Sequence, residues 1–260
     1  MPKRVKGDPE KQAAEVIGLA RGYSVVKHND LIQKSRHQLT LQEQKIVLYL
    51  ISRIKPGDDD FVHQTFSIVE FCKICGIDWD NGKNYANIKK TIQKLRDRSV
   101  WIELDNGDET LFAWINEATI SKRSGFIKIK LHDVLKPYLL QLQKNFTKYE
   151  LIYTLAMRSL YSVRLYELLK SYQHWGQIVF ETEELKKRLF AETYELFYDF
   201  KRYVLETATR EINALTDLNI TYTPTKTGRR FTEITFSVTR KEAFNRWETG
   251  QGITNALDKK

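Results

Sequence analysis

Two stretches of this chain spell the same order of elements, and that order limits the fold more than anything else in it. In the first, TLQEQKIVLYLISRI opens with Thr40 and carries Glu43 three residues later, a capping-box pattern. Leu41, Ile46, Leu50 and Ile54 line one helical face before Pro56-Gly57 ends it. SIVEFCKICG follows as a short helix, with Ser67 and Glu70 as a second capping pair. A third helix, NYANIKKTIQKLRDRS, turns Ile88, Ile92 and Leu95 inward. VWIEL, LFAWINEATIS and FIKIKL, separated by the turns DNGDE and KRSG, then read as antiparallel strands.

The second stretch repeats this. YSVRLYELLKSYQ is a helix with Val163, Tyr166 and Leu169 near its buried side, and ETEELKKRLF takes the position of SIVEFCKICG. LFYDFKRYVLETATREINALT is the third helix, and NITYTP and FTEITFSV are its strands. The joining segment LHDVLKPYLLQLQKNFTKYELIYTLAM offers another capping pair at Thr147 and Glu150. Three helices and a two-stranded wing make a winged helix-turn-helix, whose third helix enters the major groove while the first two brace it. The expected fold is therefore α+β, a pseudo-repeat of tandem winged-helix domains. Its expected parts are a flexible arm at 1–23, one unit at 24–135, a second at 136–246 and a flexible tail at 247–260.

The distribution of charge supports that reading. The formal charge is +9, a balance that suits a polyanionic partner. In DFKRYVLETATREINALTDLNITYTPTKTGRRFTEITF, Lys201 and Arg202 stand at the head of the helix, and Lys226, Arg229 and Arg230 at the hairpin tip. At 100° per residue, Val204, Leu205, Ala208, Ile212 and Leu215 share one face. Arg202, Tyr203, Glu206, Thr209, Arg210 and Asn213 point the other way, where they can reach base edges while the wing tip holds phosphate. The equivalent helix of the first unit presents Lys83, Asn87, Lys90 and Lys94, and its wing tip carries Lys122 and Arg123. Lysines hold phosphate but read bases less well than arginine, so a solvated face is a serious rival there.

Other signals are weaker. Cys72 and Cys75 have the spacing of a metal or redox pair, but two more zinc ligands are lacking and cysteine packs well as a small apolar residue. GIDWDNGKN resembles a phosphate loop with one residue too many and no hydroxyl after Lys83. Asp58, Asp59 and Asp60 read as solvated acids in a turn. His28, His37, His63, His132 and His174 stand singly, which argues against a metal-dependent nicking enzyme. No catalytic residue, metal or cofactor is expected. No apolar run reaches a membrane-spanning length, and two cysteines in 260 residues fit a reducing cytoplasm.

RLYELL at 164–169, DFKRYVLETATREINALTDLNITY at 199–222, KTGRRFTEITFSV at 226–238 and VVKHNDLIQKSRHQLTLQEQKIVLYLI at 25–51 resemble the plasmid replication initiator family called Rep_3. The resemblance implies two winged-helix domains that bind directly repeated origin sequences (iterons) in double-stranded DNA. It also implies recruitment of a host initiator and replicative helicase, and a monomer–dimer equilibrium in the bacterial cytoplasm. Dimers on an operator inverted repeat would repress the protein's own gene. In this family the second domain makes the main base contacts, and the first supplies dimer and extra backbone contacts. A two-domain transcription regulator without an origin role is the alternative, since the docking physics is the same.

Overall fold

The computed structural model describes residues 18, 22–55, 57–77, 84–104, 106–121, 123–172 and 176–241. The expected tail at 247–260 and nearly all of the expected arm at 1–23 lie outside these residues.

Both expected three-helix sets are present. In the first unit they are α2 (Leu41–Ser52), α3 (Ile68–Cys75) and α4 (Asn84–Asp97), preceded by β1 (Ser24–His28), α1 (Asn29–Gln33) and β2 (Ser35–His37). Thr40 caps α2 as its sequence demands. Its hydroxyl accepts from the Glu43 N–H at 3.3 Å, and the Glu43 carboxylate accepts from the Thr40 N–H at 2.8 Å. Ser67 forms no such box, because the Glu70 carboxylate is taken by the Tyr49 hydroxyl at 2.9 Å.

Each unit also inserts a short strand between its first and second helices, which the periodicity did not reveal. β3 (Gln64–Ser67) pairs with β7 (Phe126–Leu131), which in turn pairs with β6 (Ile115–Ser121). The first unit further carries a hairpin, β4 (Ser99–Glu103) and β5 (Glu109–Ala113), that joins β2 in a separate sheet. LFAWINEATIS is thus two strands in two sheets. The chain changes sheet at Trp114, whose indole is fully buried.

After α5 (Lys136–Leu139), β8 (Phe146–Glu150) pairs antiparallel with β1, so the halves expected at 24–135 and 136–246 share a sheet. This overturns the expected Thr147–Glu150 capping pair. Both lie in β8, and the Thr147 hydroxyl donates to the Asn29 side-chain oxygen at 2.7 Å. α6 (Leu151–Ala156) leads into α7 (Leu160–Ser171), the first helix of the second set. β9 (Gln177–Glu181), α8 (Thr182–Leu189) and a long helix over residues 197–215 follow, and then the wing strands β10 (Leu218–Thr227) and β11 (Arg230–Arg240). The sheet order β10-β11-β9 repeats the β6-β7-β3 plan of the first unit.

The second helices match in detail. α3 and α8 each hold eight residues and end on a left-handed residue, Gly76 (φ 63°) and Phe190 (φ 56°). The following N–H closes back on the same carbonyl in each: Ile77 to Cys72 and Ala191 to Lys186, both at 2.8 Å. Glycine adopts this conformation freely, whereas phenylalanine must be held in it.

α7 is buried along almost its whole length, on its charged as well as its apolar positions. Glu167 pairs with Lys27 of β1 and accepts from Tyr149 of β8 and, at 3.2 Å, from Gln44 of α2. Arg164 donates to the His37 carbonyl of β2 at 2.7 Å and to the Leu189 carbonyl at 3.0 Å. Lys170 and Tyr166 bind the two oxygens of Asp217, in the turn before the wing, at 2.5 and 2.9 Å. One helix therefore serves both units. Burying Glu167 and Lys170 is tolerable because each has an oppositely charged partner, whereas Arg164 is met by carbonyl oxygens alone.

Candidate nucleic-acid interface

The long third helix of the second unit consists of α9 (Phe197–Asp199), a π-helical turn (Phe200–Leu205) and α10 (Glu206–Leu215), without a break. Val204, Leu205, Ala208, Ile212 and Leu215 are buried as their spacing requires, and Phe200 joins them. The Glu206 N–H donates to the Lys201 carbonyl, the i+5 bond that widens this turn. Lys201, Arg202 and Tyr203 all lie in the wide turn, so their angles relative to Glu206 and Arg210 differ from those of a uniform α-helix. Wide turns of this kind recur at functional sites.

Arg202, Tyr203, Glu206 and Arg210 are exposed, while Lys201 is half-buried with its ammonium 3.7 Å from Glu206. The Tyr203 ring stacks on Tyr194 at 6.0 Å, and the Arg202 guanidinium lies 5.5 Å from its centroid. These contacts orient two side chains that would otherwise sweep a large volume. Asn213 is different. Its amide donates to the Ile220 carbonyl at 2.8 Å and accepts from the Ile220 N–H at 2.7 Å, so it clamps the edge strand β10 and is spoken for.

Lys226, Arg229 and Arg230 are exposed around the wing tip, which turns through Gly228 at φ 63°. The register shifts between Thr225 and Lys226, a bulge that puts Lys226 opposite Phe231. Phe231 stacks almost flat on Phe197 at the head of the third helix, with centroids 3.9 Å apart and an interplanar angle of 17°. The Lys226 ammonium lies 4.5 Å from the Phe231 centroid. The sequence puts cations at the helix head and the wing tip, and this stack fastens the wing to that head. Sequence reasoning missed the fastening, although the aromatic run LFYDF was its signal. Leu196 and Tyr198, both 67% exposed, extend the same surface.

In the first unit Lys90 and Lys94 project into solvent from α4 opposite buried Ile88, Ile92 and Leu95. Asn87 is half-buried, and its carbonyl accepts from the Thr91 hydroxyl at 2.9 Å. Arg123 is exposed in the β6–β7 turn. Lys83 and Lys122 lie outside the described residues.

The rival features are buried in the core or held by contacts within the fold. Cys72 and Cys75 are buried, and burial pushes the Cys72 thiol up to about 12 and that of Cys75 well above its ordinary range. Asp58 accepts from the Lys55 N–H at 3.0 Å, Asp59 from Gln141 at 2.5 Å, and Asp60 pairs with Lys136 at 2.7 Å. His28 and His132 accept backbone N–H groups at short helix starts, and His63 meets Glu117. Among the described residues no His/Cys/Asp/Glu group could hold a metal, and no helix is long and apolar enough to cross a membrane.

Comparison with known proteins gives a consistent result. The family model described as Initiator Replication protein, WH1 matches residues 24–170, and Initiator Rep protein, WH2 matches 181–238. A replication initiation protein of Escherichia coli is 27% identical over 208 residues, which are 75% of this chain. That alignment covers 64% of the relative, so the chain spans less than two thirds of its length. The crystal structure of Pi initiator protein in complex with iteron DNA superposes with a TM-score of 0.68. It does so at 20% identity, over 85% of this chain and 98% of that one, and it establishes the likeness of fold.

Proposed function

The chain belongs to the initiator replication protein family, with a WH1 and a WH2 part in order, and from that premise we propose that it is a plasmid replication initiator. It binds directly repeated origin sequences in double-stranded DNA, as the Pi initiator binds iteron DNA. The observation that carries this reading is the exposed face of Arg202, Tyr203, Glu206 and Arg210 beside a wing fastened by the Phe197–Phe231 stack. An exposed helix face with arginine and a rigidly placed basic hairpin suits base reading on the one and phosphate grip on the other. In this reading residues 136–246 read bases, while residues 24–135 grip backbone through Lys90, Lys94 and Arg123 and contact a second copy.

The protein acts by binding energy, with no catalytic step. Copies on adjacent repeats strain the neighbouring duplex until easily unstacked A/T-rich steps open. The opened origin then receives a host initiator and the replicative helicase in the bacterial cytoplasm, and the dimer represses its own gene. Incubated with supercoiled origin plasmid and magnesium or manganese, the protein leaves no metal-dependent nick. Footprinting on the origin tests the reading. Two units in successive major grooves, ~10.5 base pairs apart, protect on the order of 20 base pairs per repeat. Protection of about half that length overturns the two-unit docking, and protection confined to a promoter favours a transcription regulator.

A further inference from the structure

A cavity of about 30 Å³ lies in the joint between the two units. Lys27, Ser35 and His37 wall it from one side, and Arg164, Glu167 and Arg188 from the other. It has room for one or two particles the size of water.

The charges around it do not balance. The Lys27–Glu167 pair is neutral as a unit, and Glu167 is further occupied by Tyr149 and Gln44. Arg188 pairs with Glu184 at 2.8 Å. Among the described residues, Arg164 meets two carbonyl oxygens and the face of Phe190, 4.2 Å from its guanidinium carbon. Among the described residues no carboxylate lies within ion-pair distance of it, and Glu167 and Glu192 act on it only from farther away. Arg164 is 8% exposed, and its Nε is buried without an acceptor among the described residues. Burial brings its pKa down to about 10, which still leaves it cationic at neutral pH. His37 adds no charge there, because burial and the Arg164 and Lys27 charges hold its pKa well below 6.5. A buried cation without a counter-charge is strongly destabilising.

We propose that this cavity binds a small monovalent inorganic anion of chloride size, held by Arg164 and walled by both units. The anion supplies the missing counter-charge and so ties the second unit to the first. The site is independent of the DNA-facing surface.

The test uses the full chain without DNA, so its outcome is separate from that of the DNA-binding proposal. Thermal unfolding is followed while chloride replaces gluconate at fixed ionic strength and pH. Above the dissociation constant the midpoint rises by roughly 3–5 °C for each tenfold step in chloride. In Arg164→Gln, which removes the unpaired charge, that dependence disappears. Bromide-soaked crystals of the unaltered chain show an anomalous peak beside Arg164, which decides the matter even if the variant fails to fold. Equal midpoints in chloride and gluconate, or a bromide-soaked crystal without that peak, overturn the proposal and leave water as the occupant.

Discussion

Replacing Asn213 by alanine separates a structural clamp from a base-reading residue. The Asn213 amide makes both of its bonds to one residue of β10, Ile220, at 2.8 and 2.7 Å. β10 is an edge strand, and the Ile220 side chain is fully buried against the core. Asn213 therefore acts as a one-residue partner strand for the base of the wing. Each bond is worth about 1 kcal/mol net, and leaving a buried partner unpaired costs about 1–3 kcal/mol. With water reaching part of the freed edge, Asn213→Ala should cost roughly 2–3 kcal/mol. Asn213→Asp still accepts from the Ile220 N–H but repels its carbonyl, so it should recover less than half of that loss. Urea unfolding of the full chain gives the first number as a lower midpoint at unchanged slope. Affinities for specific and random duplexes should then fall together or stay put. If Asn213→Ala changed stability by less than about 0.5 kcal/mol while specific affinity alone collapsed, the clamp would be wrong and Asn213 would be reading bases.

Other substitutions divide the surface further. Arg202→Ala should lose ~1–3 kcal/mol on the true site and much less on random DNA. Lys90→Ala should weaken both alike and lower the salt slope by about one counterion; the reverse pattern in a salt series would move base reading to the first unit. Phe231→Leu removes a ring stack worth roughly 0.5–1.5 kcal/mol beyond its area, and should weaken DNA binding more than Arg229→Ala, because it unfastens the whole tip. An equal loss in both would show that the stack does not position the wing. His37 gives a pH effect. Its folded pKa is held below 6.5, so the unfolded chain takes the proton first, and stability is full above pH 6.5 and declines below it. The decline should approach ~1.4 kcal/mol per pH unit until the folded pKa is reached, and should flatten in His37→Gln in a urea series from pH 7 to 5.

Local signals were legible wherever local chemistry decided the structure. Thr40 and Glu43 box the start of α2, and the apolar faces of both third helices are buried where their spacing puts them. The same kind of signal failed at Ser67–Glu70, because Tyr49, on the preceding helix, claims the carboxylate. It failed at Thr147–Glu150 because β1, more than a hundred residues earlier, recruits that segment as a strand. Arg164, Glu167 and Lys170 look like the solvated face of a helix, and only their distant partners explain why all three are buried. At the site, exposure of Arg202, Tyr203, Glu206 and Arg210 was readable from a helical wheel. The π turn and the Phe197–Phe231 stack were not, since both depend on how the wing packs back on the helix.

α7 has a consequence for how this molecule comes apart. Its charged side chains are pinned to β1, β2, α2 and β8 on one side and to the wing turn on the other. If either unit unfolds, the helix keeps its buried charges and loses their partners, so the survivor inherits the cost. The two units should therefore melt as a single cooperative block, and the second unit excised alone would carry α7 as an exposed, half-paired spine.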